Sequence, residues 1–432
     1  MTRRLAVVAL LGAVAAVGSP GPAALTLVVV NAAVVALWAI DRGRTVAPER
    51  HPGVERVVRS TVPYGDPMTI RYRVSNPTNR RLRATIADHP DSALGARSRR
   101  LATDVEAHST IEVEIDARPT RRGRFRFDGM VVSVEGPWGL AARQATRPMI
   151  HVVSVTPAFG SRRAAALAID AVRLLEVGTR AVRGAGGGDL DHLRDHRPGD
   201  DVRHLDQAAT ARLGRPVVKV WRAERDQPVL VLVDVGRTMA ARVAGQPRLE
   251  WTLDAALALT AVASRVGDRI GLVAYDTAVR QMIPPRGGAG QLSVMVDALT
   301  DLQPSLVESD HRRAFAAALA RFPRRAMVVL LTELAEGTVP ETLVPALPLV
   351  ARRHLVTIGS VVDPALAAWA TERPDDLAAV HRQAAASAAL DDRRRLAASA
   401  VAAGASVIDA EPDALAGRLT DAYLDVKSVG RL

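Results

Sequence analysis

The 432 residues are about twice what one domain needs, so two or three folded units are expected. With 48% hydrophobic and 24% charged residues the chain is globular rather than disordered, and the lack of cysteine excludes disulfides, thiol catalysis and Cys-ligated zinc. The net charge of +11 invites a nucleic-acid partner, but lysine occurs only at Lys219 and Lys427, the arginines are scattered among acids, and no basic stripe is interleaved with aromatics; a nucleic-acid partner is not expected.

Residues 5–18 and 23–40 carry no charge, and Ser19-Pro20-Gly21-Pro22 between them is a compact turn. Extended into the turn, each run approaches the roughly 20 helical residues that span a hydrocarbon core. Arg3 and Arg4 precede the first run and Arg42 and Arg44 follow the second, so the positive-inside rule puts both ends on the cytoplasmic side. The competing reading is a signal peptide cleaved near Gly18-Ser19, but the second apolar run followed by arginines is not what a cleaved precursor needs. Residues 1–44 are therefore expected to be a transmembrane helical hairpin in the cell membrane, with both termini and the soluble domains cytoplasmic.

Residues 45–159 are predicted to be a small all-β, sandwich-like domain. Met68–Val74, Ser109–Ile115 and Met130–Val134 alternate apolar and polar residues with period two, as half-buried antiparallel strands do. Gly65-Asp66-Pro67, Asn76-Pro77 and Arg122-Gly123 supply turns between strands. Arg121-Arg122-Gly123 and Gly136-Pro137-Trp138-Gly139-Leu140 stand out; their glycines allow tight turns, and Trp138 is expected to cap the sandwich.

Residues 160–226 form a connector with the densest polar cluster in the chain, from Asp189 to Arg212. His192, His196 and His204 lie among its carboxylates, yet their spacing matches no known ligand framework. Three uses are open to the cluster: a connector locked by Asp–Arg pairs, an interaction epitope, or a metal site.

From 227 to 432 strands and helices alternate. Val229–Asp234, Arg269–Tyr275, Ala326–Thr332, His354–Gly359 and Ala405–Asp409 are predicted strands. Helices are expected at 248–266, 288–302, 310–322, 338–353, 364–403 and 412–425. This order implies a doubly wound α/β domain, with a parallel sheet between two helix layers. Ligands on such sheets bind at the carboxyl ends of strands, where Asp234, Gly236, Thr238, Ser309, Asp310, Thr332 and Glu333 gather. Oxygen ligands from three loops would suit a hard cation such as Mg²⁺; alternatively, Asp234 and Thr238 cap the next helix. The chain has no phosphate-binding glycine motif and no nucleophile elbow.

Leu193-Arg194, Pro198-Gly199-Asp200-Asp201, Arg203, Thr210 and Arg212, leading into Val231-Leu232-Val233-Asp234, together resemble the domain of unknown function 58 family. Arg121-Arg122-Gly123 with Pro137-Trp138-Gly139-Leu140 resembles a second, upstream motif of the same family, and the ending Tyr423–Leu432 resembles family C-termini. The resemblance implies a von Willebrand A-like fold in the C-terminal domain, frequent genomic pairing with MoxR-type AAA+ ATPases, and no established enzymatic activity. It also implies a degenerate metal-ion-dependent adhesion site. Asp234 keeps the acid, Gly236 replaces the first serine, Thr238 fills the second, Ser309 stands at the threonine position and Glu333 at the last acid. The connector departs from the family in having His196 where an aromatic is common and Gln207 where Trp is common.

The expectation is a membrane-anchored interaction or adaptor protein, not an enzyme. It works with a MoxR-type AAA+ ATPase in a chaperone-like or envelope-related role, takes no small-molecule substrate, and holds Mg²⁺ weakly at most. The alternative is a hydrolase using the His/Asp-rich connector, which would need a nucleophile and a water-excluding pocket; the sequence shows neither.

Overall fold

The computed structural model describes residues 3–17, 23–98, 100–161, 165–166, 189–197, 205–222, 228–334 and 339–428. The chain divides into two compact units, Met1–Thr156 and Pro157–Leu432. The apolar helices therefore share a unit with the β strands, and the connector shares one with the α/β sheet.

The first unit opens with helix α1, Arg3–Val17, and helix α2, Ala23–Arg44. The helices approach closely at Gly12, where a Cβ would lie 2.6 Å from Cγ1 of Val30. A small residue at the contact lets the two helix backbones come this close. Leu25–Arg44 is long and apolar enough to cross a membrane, with 20 residues and a mean hydropathy of 1.7; Arg4–Val14 is a shorter apolar stretch.

Eight strands follow: β1 Gly53–Val57, β2 Thr61–Pro63, β3 Met68–Asn76, β4 Leu82–Asp88, β5 Arg100–Val105, β6 Ser109–Ala117, β7 Gly123–Glu135 and β8 Ala142–Thr156. They form an antiparallel sheet β1-β3-β6 and a second sheet β2-β8-β7-β4-β5. Alternate residues of β3 are buried (Met68, Ile70, Tyr72, Val74), as are Leu82, Ala84 and Ile86 of β4. The sheets are also joined by a buried polar cluster: Tyr72 donates to Oδ2 of Asp88 at 2.6 Å, Arg56 pairs with the same carboxylate at 2.9 Å, and the Arg56 guanidinium lies over the Phe127 ring. A buried arginine is tolerated only with such a partner.

In the second unit β9, Asp189–Asp195, pairs antiparallel with β10, Val217–Arg222, across helix α3, Gln207–Leu213. The main sheet contains β11 Pro228–Asp234, β14 Arg269–Tyr275, β15 Val279–Arg286, β16 Met327–Leu331, β17 Leu355–Val361 and β18 Ala405–Ala410; β12 Arg242–Val243 and β13 Gln246–Pro247 form a small hairpin apart from it. Strand order is β15-β14-β11-β16-β17-β18. Among the described residues of this unit the further helices are α4 Arg248–Val266, α5 Gly290–Thr300, α6 His311–Arg321, α7 Leu347–Ala351, α8 Pro364–Thr371, α9 Leu377–Ala402 and α10 Pro412–Ser428.

Successive residues of β11 face opposite layers. Val229, Val231 and Val233 pack with α4, α5 and α10, whereas Leu230 and Leu232 pack with α6, α7 and α9. A strand buried on both faces needs an unbroken apolar run, which β11 has. The C-terminal part of α10 is locked to the body: Tyr423 donates to Oδ2 of Asp268 at 2.5 Å, and Nζ of Lys427 bonds both oxygens at 2.6 Å.

Two expectations are corrected. The sheet is not wholly parallel, because β15 runs antiparallel to β14 at the edge. Its Pro284 and Pro285 hide it from a strand pattern, and an edge is where a strand tolerates proline. The helix expected at 338–353 is instead a π turn at Val339–Leu343 followed by α7. Pro345 and Pro348 lack the N–H groups that a continuous helix would use.

Candidate functional site at the carboxyl edge of the α/β sheet

The sequence visits β11, then β14 on one side, then β16 on the other, so the direction of winding changes at β11. Loops diverge there and leave a crevice beyond the strand ends. Asp234 ends β11 and is 2% exposed. Its Oδ1 accepts the Gly236 N–H at 2.7 Å and the Ser309 hydroxyl at 2.5 Å. Its Oδ2 accepts the Thr332 hydroxyl at 2.6 Å. Three donors from three loops thus hold one carboxylate, which is how a buried charge is made tolerable.

Gly236 is required by this arrangement. A Cβ there would lie 2.1 Å from Oγ of Ser309 and 2.9 Å from the Val307 carbonyl oxygen. The Ser309 hydroxyl therefore occupies space beside Asp234 that a side chain at 236 would take. No α-helix starts at this point: a 3₁₀ turn, Arg237–Ala240, follows with no side-chain cap at Gly236. Thr238 lies in that turn, and its carbonyl accepts from Arg248 at 2.7 Å.

A small pocket with roughly 220 Å³ of atom-free space, part of it open to solvent, is lined by Asp234, Thr238, Ser309, His311, Thr332 and Glu333, with Arg237 and Glu308 at its rim. All four residues expected to form the degenerate site, Asp234, Thr238, Ser309 and Glu333, line it. Only Asp234 and Ser309 touch directly among them. The Glu333 carboxylate turns to two guanidinium groups, pairing with Arg248 at 2.9 Å and with Arg393. Arg393 also bonds Ser360 Oγ at 2.9 Å and Asp409, so the network ties β16, β17 and β18 together. Burial raises the Glu333 pKa against the pull of both arginines.

The donor set is short of what a divalent cation needs. It offers one carboxylate already held by three donors, two hydroxyls that donate to it, the Thr238 side chain, and a second carboxylate neutralised by two arginines. Among the described residues no group of three or more His, Cys, Asp or Glu is placed to hold a metal.

Sequence reasoning missed two participants. His311 is buried, with Nδ1 2.9 Å from the Tyr275 hydroxyl, and burial holds its pKa below the ordinary 6.5 although Asp234 and Asp310 favour the charged form. Arg393 sits mid-helix in α9, where nothing in a local pattern distinguishes it from a solvated arginine.

The loop from 301 to 310 forms the rim. Ser305 is anchored by its N–H to the Val235 carbonyl at 2.7 Å and by its hydroxyl to Asp276 at 2.8 Å. Val307 accepts from the Arg237 N–H at 2.8 Å, and Asp310 N–H bonds the Asp276 carbonyl. Between these anchors Leu306 is 80% exposed, and Val307 is exposed beside the Arg237–Glu308 ion pair.

In the connector, Leu193 and Arg194 lie on β9, while Thr210 and Arg212 lie on α3. Asp206 caps α3, accepting from Ala209 N–H at 2.9 Å. Thr210 Oγ1 accepts the Val217 N–H at 3.0 Å, fastening α3 to β10. Arg212 donates to the Ala208 carbonyl and Arg194 to the Asp195 carbonyl; Asp195 itself pairs with Arg215 at 2.8 Å on the surface. Pro198, Gly199, Asp200, Asp201, Arg203 and His204 fall outside the described residues.

Residues 192–370 match the family described as "Protein of unknown function DUF58". This segment is similar to DUF58. The matched segment includes all the motif residues of the connector and the pocket lining from Asp234 to Glu333, while Arg393 and Asp409 lie beyond it. Three uncharacterized relatives, one from Mycobacterium bovis and two from Mycobacterium tuberculosis, are each 28% identical over 180 residues, 41% of this chain and 56% of theirs. The chain thus matches only about half the length of these curated relatives. Among solved structures, the conserved hypothetical protein BatB from Bacteroides thetaiotaomicron is 14% identical and covers 47% of this chain and 99% of its own, with a TM-score of 0.30. At that score the likeness carries no inference about fold or role.

Proposed function

We propose that this chain is a membrane-anchored adaptor whose α/β unit binds a protein partner at the rim of the carboxyl edge and performs no chemistry there. The observation that carries this reading is the contrast between rim and pocket. Inside, the Asp234 carboxylate accepts from the Gly236 N–H and from the Ser309 and Thr332 hydroxyls. Outside, a loop pinned at both ends holds Leu306 and Val307 in solvent beside an ion pair. A rigid apolar anchor with a polar surround is the usual core of a protein interface. The mixed sheet with helices on both faces and a ligand-type edge supports a von Willebrand A-like assignment of this unit.

The partner in this reading is a MoxR-type AAA+ ATPase, on the strength of the family's genomic pairing, in a chaperone-like or envelope-related process. The chain is held at the cell membrane by α1 and α2 crossing as a hairpin. Support comes from the apolar side chains of Leu25, Val28, Val29 and Val35, which are exposed as a soluble core helix would not leave them, and from the arginines at the outer helix ends. Both termini and the soluble units then face the cytoplasm.

The test is co-purification of the ATPase with tagged full-length protein from solubilised membranes, comparing wild type with Leu306→Asp. Loss of the ATPase at an unchanged melting temperature supports the reading. Equal recovery with both proteins removes this surface from it.

A further inference from the structure

The motif Gly136-Pro137-Trp138-Gly139-Leu140 is a clamp on the end of α2. Asp41, near the last turn of that helix, is wholly buried although it is a carboxylate. Its Oδ1 accepts the Trp138 N–H at 2.9 Å; its Oδ2 accepts the N–H groups of Leu140 and Ala141, both at 2.8 Å. Consecutive backbone N–H groups curled round an anion form a nest, and the charge makes each bond strong. Gly136 is obligatory, since a Cβ there would lie 2.5 Å from the Asp41 carboxylate. Gly139 supplies a positive φ of 69° and passes close to the Arg4 side chain, where its Cβ would be 3.1 Å away. The loop therefore meets both the end of α2 and the beginning of α1.

The surface around this clamp has the composition of a membrane interface. Trp138 is 41% exposed and lies under the Arg44 guanidinium at 5.1 Å; Trp38 lies under that of Arg42 at 5.7 Å. Helical rise puts Asp41 only about 4.5 Å beyond Trp38 along the axis. The headgroup region on one side of a bilayer is about 5–7 Å thick. A loop bonded to Asp41 through three N–H groups cannot leave that layer while α2 spans the membrane.

We infer that the 136–141 loop is a lipid-contacting platform: Trp138 sits among the headgroups, and Arg4, Arg42 and Arg44 bind the phosphates of anionic phospholipid. Asp41 fixes the β unit against the bilayer surface. This rests on the spanning reading of α2, so its test must separate the two. The chain has no cysteine, so single nitroxide labels can be placed at Trp138→Cys and, as a ruler, Val35→Cys, in full-length protein in nanodiscs containing phosphatidylglycerol. The label at 35 is expected to collide with oxygen and be shielded from aqueous nickel. The label at 138 is expected to relax with nickel chelated to lipid headgroups, as is one at the exposed Pro137→Cys. Adding Asp41→Ala should free the 138 label from the headgroup layer while leaving position 35 in hydrocarbon. If 35 lies in hydrocarbon and neither 137 nor 138 senses headgroup nickel, the platform is wrong and the spanning reading stands. If 35 is open to aqueous nickel, the spanning reading fails and the platform with it.

Discussion

Ser309 reaches Asp234 through the space that a side chain at position 236 would occupy: its hydroxyl bonds the carboxylate at 2.5 Å, and a Cβ on Gly236 would stand 2.1 Å from that hydroxyl. The backbone at 236 is extended, with φ −74°, so alanine is excluded by crowding and not by conformation. Gly236→Ala is expected to destabilise the full-length protein by about 1–3 kcal/mol, the usual cost of overpacking a tight site. Adding Ser309→Ala should recover part of that loss, the Val307 carbonyl contact remaining. Thermal unfolding of the two single variants and the double variant measures the coupling.

The same geometry sets the expectation for metal. With Glu333 neutralised by Arg248 and Arg393, and no hydroxyl at 236, Mg²⁺ binds weakly or not at all, and unfolding is indifferent to it. Calorimetry on the full-length protein checks this. Micromolar Mg²⁺ affinity abolished by Asp234→Ala contradicts it.

Arg393 links Glu333 to Asp409 with little solvent access. Removing one partner of a buried network leaves charge behind, at a cost of about 3–5 kcal/mol. Arg393→Ala should therefore lower the melting temperature strongly. Arg394→Ala, one residue along and paired to Asp391 on the surface, should change stability by less than about 1 kcal/mol.

The legible parts of this molecule are those whose signal is local. Val229–Asp234 announces a strand buried on both faces, and the alternation in Met68–Val74 fits half-buried β3. Asp234 was identifiable as a site residue because an acid ending such a strand lies at the ligand edge. Glu333 was placed at that edge, but its two arginines come from α4 and from the interior of α9, distances in sequence that no periodicity encodes. The strand pairing of β9 with β10 was hidden because polar residues dominate Asp189–Asp195. Trp138 was expected to cap the β core; the role of its loop in holding Asp41 depends on backbone N–H groups, which every residue but proline carries.

Asp276 governs the rim loop. Burial opposes its charge, but Arg280 at 2.7 Å, Ser305 at 2.8 Å and the Ala278 N–H prevail, so its pKa lies below the ordinary 3.8. A carboxyl group held lower in the folded state stabilises above its unfolded pKa and loses that contribution as pH falls through the folded value. Asp276→Asn should thus cost roughly 1.5–3 kcal/mol at neutral pH, the range for bonds to a charged group. The gap from wild type should close as pH falls below 3.8. Paired melting curves across that range test it.

The central claim is that the pinned rim loop is a protein-binding surface. The direct measurement is the affinity of a purified MoxR-type AAA+ ATPase from the same genome for the full-length protein in nanodiscs, with wild type and Leu306→Asp compared. Truncating an interface anchor typically costs about 2 kcal/mol or more, so binding to wild type weakened at least about thirtyfold by Leu306→Asp is the predicted result. Equal affinity for both proteins, or no binding to wild type, would contradict the account.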